Sequence, residues 1–148
     1  MQFLPALAAA GISAEIFPFF DDAYLSRIYS GRTAPGLALA AYRRRIRDLS
    51  AIFAADLVWI EKEVLPWIPW PVERAFLPRD VPIVTDFDDA VFHRYDMHSS
   101  PLVRWSLGRK FDGIMEASAL VTAGNSYLAA RADQAGARSV AVVPTVVD

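Results

Sequence analysis

The residues most able to do chemistry in this chain lie between Arg79 and Ser100. A short apolar run, Pro82-Ile83-Val84, leads into Thr85-Asp86-Phe87-Asp88-Asp89, and His93, Asp96 and His98 follow at once. These are the chain's 2 histidines. Carboxylates placed at a strand end allow three kinds of chemistry. They can ligate Mg2+, which prefers oxygen ligands. They can serve as base or nucleophile where neighbouring charges separate their pKa values. They can also accept hydrogen bonds from substrate hydroxyls. The plainer alternative is that Asp88 or Asp89 caps the next turn. His93 and His98 are too far apart in sequence to pair as ligands on one helix face. His93 reads as a lone surface histidine. His98, beside Ser99 and Ser100, reads as the one nearer the sheet edge.

Other candidates occupy comparable positions. Asn125 follows a strand and opens a helix, so it is either an ordinary N-cap or part of a site for an anion or hydroxyl. Glu63 lies just past the run Asp56–Ile60, and Thr145 and Asp148 just past the last strand. All three are expected at the same edge, because ligands of parallel sheets bind beyond the carboxyl ends of the strands.

The elements that must position these residues alternate. Strands are expected near residues 14, 57, 83, 120 and 140, the first being Ser13–Phe19. A helix from Gln2 to Ala10 precedes them and stops at Gly11. A short helix runs from Asp21 or Asp22 to Tyr29. A long one runs from Pro35 or Gly36 to about Ala54, with Leu39, Tyr42, Ile46, Leu49 and Phe53 as its apolar stripe. Trp70 to Leu77 forms a short helix with Pro71 in its first turn. Ser99 or Ser100 and Pro101 start another, whose buried stripe is Val103, Leu107, Phe111 and Ile114, with Arg104, Arg109, Lys110 and Glu116 pointing away. Gly136 ends the helix that begins at Asn125. Strands alternating with helices predict an α/β fold: one Rossmann-like parallel sheet with helices on both faces.

Composition narrows the function. A chain of 148 residues fits one domain. Its 54% hydrophobic content suits a covered parallel sheet. The absence of cysteine excludes disulfides and thiolate metal sites. A net charge of −2 gives no reason to expect nucleic acid. The opening MQFLPALAAAGIS has no basic residue before Arg27, which favours a surface helix over a signal peptide. Between Ala23 and Arg47 there are arginines and no acid. Arg43, Arg44 and Arg47 therefore form either a solvated face or a contact for an anionic membrane surface. Trp59, Trp67 and Trp70 read as core packing, with stacking on a sugar ring as the functional alternative.

Taken in order, these motifs resemble the N-terminal half of family-4-type glycosyltransferases, retaining enzymes of the GT-B architecture that use nucleotide-sugars. The likeness rests on Asp86-Phe87-Asp88-Asp89-Ala90, on Thr122-Ala123-Gly124-Asn125-Ser126-Tyr127-Leu128-Ala129, and on Pro144-Thr145-Val146-Val147-Asp148. Gln2–Leu7 and Trp59–Glu63 also fit. The resemblance implies an acceptor-binding Rossmann-like domain facing a donor domain across a cleft. Asp86, Asp88, Asp89 and His98 would be the catalytic candidates. Glu63, Asn125, Thr145 and Asp148 would bind substrate. It implies no metal requirement and no cofactor beyond the nucleotide-sugar co-substrate, with a glycan or lipid-linked acceptor as partner. The expected location is cytoplasmic, with peripheral contact at the inner membrane face. Many relatives carry a histidine near the end of the acidic strand, where this chain has Phe87 and Asp88, and His98 is the candidate replacement. The family's glycine-rich first turn and its paired glutamates are missing, so the chain is expected to be a fragment without transferase activity of its own. Two alternatives stand beside it. One is a Mg-dependent phosphatase of the haloacid-dehalogenase type using Asp86 and Asp88; the other is a non-catalytic membrane-surface domain.

Overall fold

A computed structural model describes residues 4–20, 26, 30 and 35–144. The chain divides into two compact units, Met1–Arg45 and Ile46–Asp148. In the first unit, α1 (Leu4–Ala9) buries no residue and gives way to Gly11, whose φ of 77° is the left-handed conformation that glycine tolerates. The predicted strand Ser13–Phe19 does not form. Ile16 is exposed and Pro18 has no N–H to give a ladder, so the run has neither a packed face nor a full set of bonds. The predicted helix from Asp21 to Tyr29 lies largely outside the described residues.

The helix expected from Pro35 stops at Asp48 (α2, Pro35–Asp48), and a 3-10 turn follows at Ala51–Ala54. Its apolar stripe is mostly not its buried face. Leu39, Ile46 and Phe53 are exposed, whereas Ala41 and Leu49 are buried. Tyr42 meets Phe19 edge to face at 5.0 Å between ring centres, and Arg44 donates to the Phe19 carbonyl. Ala41, Tyr42 and Leu49 set the contact here, and Leu39 and Ile46 remain outside.

The second unit holds the sheet. Its four strands are β1 (Val58–Glu61), β2 (Ile83–Phe87), β3 (Leu120–Ala123) and β4 (Val140–Val142), all parallel and in the order β1-β2-β3-β4. Between them run α3 (Trp70–Ala75), α4 (His93–Asp96), α5 (Pro101–Leu107), α6 (Lys110–Ala117) and α7 (Ser126–Gln134). The fold is therefore α/β and Rossmann-like, a parallel sheet flanked by helices. Strands added always in one direction, with right-handed crossovers, put their connections on one face. Accordingly α3 packs on α6, and α6 on α7, while α6 and α7 also cover strands. The sequence pattern predicted helices on both faces; the three crossovers of this unit share one.

The core lies between that helical layer and the sheet. Phe87, Phe92, Tyr95, Phe111, Met115 and Val121 are all fully buried there. Burying a side chain such as Phe87 or Phe111 contributes about 1.5–3 kcal/mol. Close approach of α3 and α6 depends on Gly113, where a Cβ would stand 2.2 Å from the Trp70 ring. Gly136, at φ 85°, ends α7.

Candidate functional site at the carboxyl edge

Backbone pairing continues past the strand ends and lines up the residues beyond them. Lys62 N–H donates to the Asp86 carbonyl at 3.0 Å, Gly124 N–H to that of Phe87 at 2.8 Å, and Val143 N–H to that of Ala123 at 2.9 Å. Lys62, the Asp88–Asp89 pair and Asn125 thus leave adjacent strands at one edge. Lys62 has φ 66° and Trp67 φ 60°, left-handed conformations that are costly for side-chain-bearing residues. Backbone held this way clusters at functional sites, where the surroundings must fix it.

Two systems of charge diverge from this loop. Outward, the Lys62 ammonium lies 2.9 Å from Asp88 and 3.5 Å from Asp89. Its hydrogen bond and charge hold the Asp88 carboxyl below the usual range. Burial opposes the Lys62 charge, but Asp88 and Asp89 together raise its pKa above the ordinary value. Inward, the Glu63 side chain is 7% exposed and faces Lys110, whose side chain is fully buried. Lys110 Nζ reaches Glu63 at 2.6 Å, Glu73 at 2.8 Å and the Leu65 carbonyl at 2.6 Å, so its three protons are satisfied. Glu73 accepts the N–H groups of Val64 and Leu65. Tyr95 donates its hydroxyl proton to Glu63 and accepts the N–H of Trp67 at 2.8 Å. Burial and the Glu63 charge push the Tyr95 phenol well above its ordinary pKa. The inward system fastens residues 63–67 to the helices and fixes the loop that carries Lys62.

The predicted site residues fall into distinct places. Asp88 and Asp89 are exposed on the edge, and Asn125 stands on the neighbouring strand exit. The Asn125 side chain caps α7, accepting from Leu128 N–H at 3.0 Å. Asp86 is half-buried and accepts the Thr122 hydroxyl. It lies on the sheet face opposite Phe87, in register with Glu61 and Thr122. Glu63 points into the buried network. His98 accepts the Ser100 N–H at 3.0 Å and meets Trp67 edge to face. Thr145 and Asp148 lie outside the described residues. Of the basic residues, Arg43 is exposed, Arg44 is tied to Phe19, and Arg47 pairs with Asp48 at 3.5 Å. Lys110, expected on the outer face, is a correction. Its position between Leu107 and Ile114 places it on the apolar stripe, and the carboxylates of Glu63 and Glu73 meet it there.

His93 belongs to the edge after all. Its Nδ1 is 2.9 Å from Asp96 and its Nε2 is 2.8 Å from the Tyr127 hydroxyl, on the first turn of α7. This joins the exits of β2 and β3. Tyr127 carries no signal in the sequence beyond its nearness to Asn125. Among the described residues no three His, Asp or Glu side chains gather closely enough to hold a metal ion, and no helix is long and apolar enough to cross a membrane. A cavity of about 660 Å3 opens at the other edge among Trp70, Arg74, Arg79, Ile83 and Arg138. It contains none of the edge carboxylates, and we place the candidate site at the carboxyl edge on the strength of the charges and backbone gathered there. Comparison of the chain with protein-family models, curated proteins and solved structures finds no match.

Proposed function

We propose that this chain is the acceptor-binding half of a retaining glycosyltransferase, which moves a sugar from a nucleotide-sugar to a glycan or lipid-linked acceptor. The observation that carries this reading is the carboxyl edge, where Asp88 and Asp89 stand exposed on a fixed loop partner, Lys62, beside Asn125. Exposed carboxylates accept hydrogen bonds from sugar hydroxyls, and the Asn125 NH2 donates to them. A parallel α/β sheet uses this edge for ligands, but the fold hosts many functions, so the side chains must argue the chemistry. The same two strand exits carry the Asp86–Ala90 and Thr122–Ala129 motifs that resemble the glycosyltransferases. Donor binding would fall to a partner domain across the cleft. Exposed Arg43 and Arg47 suit peripheral contact with acidic lipid.

The test is titration of the chain with methyl glycosides and short oligosaccharides, followed by amide NMR. Shifts are expected at Asp88, Asp89 and Asn125. Shifts confined to the cavity around Arg79 and Arg138, or none at any sugar concentration, overturn the reading. Turnover of UDP- or GDP-sugars by the chain itself is expected to be nil.

A further inference from the structure

We propose that Asp96, His93 and Tyr127 form a proton relay at the β2–β3 edge whose outer end, the Tyr127 oxygen, takes the hydrogen bond of a sugar hydroxyl. The geometry dictates the direction. In the neutral imidazole, the Asp96 carboxylate accepts from Nδ1–H, and Nε2 is then the acceptor. Tyr127 O–H must then donate to Nε2. Its oxygen keeps lone pairs, and the residue is 56% exposed, so a ligand can reach it. A phenol that has given its proton inward offers its oxygen as an acceptor, and a sugar hydroxyl can supply the donor.

Residues on either side of the imidazole hold it. Phe92 packs edge to face on the ring at 4.6 Å. From α7, Arg131 approaches Asp96 at 3.8 Å, and it is bound at 2.7 Å to Asp112 of α6. Asp96 therefore sits between the imidazole and a guanidinium that is itself neutralised. The alcohol's proton can pass to Tyr127 as the Tyr127 proton passes to Nε2. In glycosyl transfer the alcohol oxygen bonds to the sugar carbon of the nucleotide-sugar, the bond to the departing phosphate breaks, and the proton ends on His93. This deepens the proposed function and rests on it for the identity of the alcohol; the relay itself does not.

The experiment uses p-nitrophenyl acetate on the intact chain. Tyr127 attacks the acetyl carbon, p-nitrophenolate leaves with the electron pair, and the phenol proton goes to Nε2. Mass spectrometry of peptides locates the acetyl group among the 5 tyrosines. Tyr127 is expected to react about 10²-fold faster than the other tyrosines, in line with general-base assistance. His93→Gln should remove the advantage, Asp96→Asn should lower the rate, and Tyr127→Phe should abolish the adduct. Amide NMR of each variant checks the fold, and imidazole 15N shifts should show the Nδ1–H form in the unmodified chain. Acetylation of Tyr127 no faster than its neighbours, or unchanged in folded His93→Gln, overturns the relay. Saturating methyl glycoside should slow acetylation at Tyr127. Sugar binding without Tyr127 reactivity sinks the relay alone; reactivity without sugar binding sinks the glycosyl reading alone.

Discussion

Lys62 and Lys110 each sit between two carboxylates, yet they do opposite work. Lys110 is sealed between Glu63 and Glu73, while Lys62 sits at the rim between Asp88 and Asp89, whose side chains are 48% and 61% exposed. The two systems start from adjacent residues of one loop, because the left-handed backbone at Lys62 sends its side chain outward and Glu63 inward. Burial is the difference that matters. A buried ion pair gains a large Coulomb term against a comparable desolvation cost, and its geometry becomes nearly compulsory. An exposed one is screened, worth little to the fold, and left free to exchange partners with a ligand. One ammonium builds the loop; the other equips it.

The contrast predicts effects that decline from the inside outward. Lys110→Met strands two carboxylates in the core, and chemical denaturation should show a loss of about 3–5 kcal/mol. Tyr95→Phe leaves Glu63 and the Trp67 N–H short of a partner, for a loss of about 1–3 kcal/mol. The same phenol gives a pH signature. Its folded pKa is raised, so its contribution is complete below the unfolded value, about 10, and is lost as pH rises above it. Alkaline denaturation should be steeper in the parent than in Tyr95→Phe. Lys62→Ala should cost less than about 1 kcal/mol and return the Asp88 carboxyl to the ordinary range in an NMR titration. Asp88 has a depressed pKa, so its small contribution is present above about pH 4 and fades as pH falls through the folded value. A Lys62→Ala loss equal to that of Lys110→Met would erase the distinction between the two systems.

Much of the sheet could be read from the chain because its strands are short apolar runs closed by acids or by Gly-Asn. β2, β3 and α7 sit where the pattern placed them, and Asn125 caps as expected. The run Ser13–Phe19 looked the same locally, but a strand exists only with a neighbour, and pairing is not written in one segment. The α2 stripe held only in part for a related reason: periodicity names an apolar face, while packing kept Tyr42 and Leu49 of it, added Ala41 and left Leu39, Ile46 and Phe53 outside. The site was half legible. Carboxylates at strand exits announce themselves by type. Lys110 was hidden because a cation on an apolar stripe becomes intelligible only once Glu63 and Glu73, 47 and 37 residues away in sequence, arrive beside it. His93 and Tyr127 meet through two separate elements, and neither sequence neighbourhood points to the other.

The bare backbone of Gly113 beneath the Trp70 ring gives the chain a built-in optical gauge. Trp59, Trp67 and Trp105 are substantially wet, so their emission is that of indole in water. Trp70 is the indole packed against α6 at Gly113, and a blue-shifted share of the emission is expected to report whether that helix is still docked.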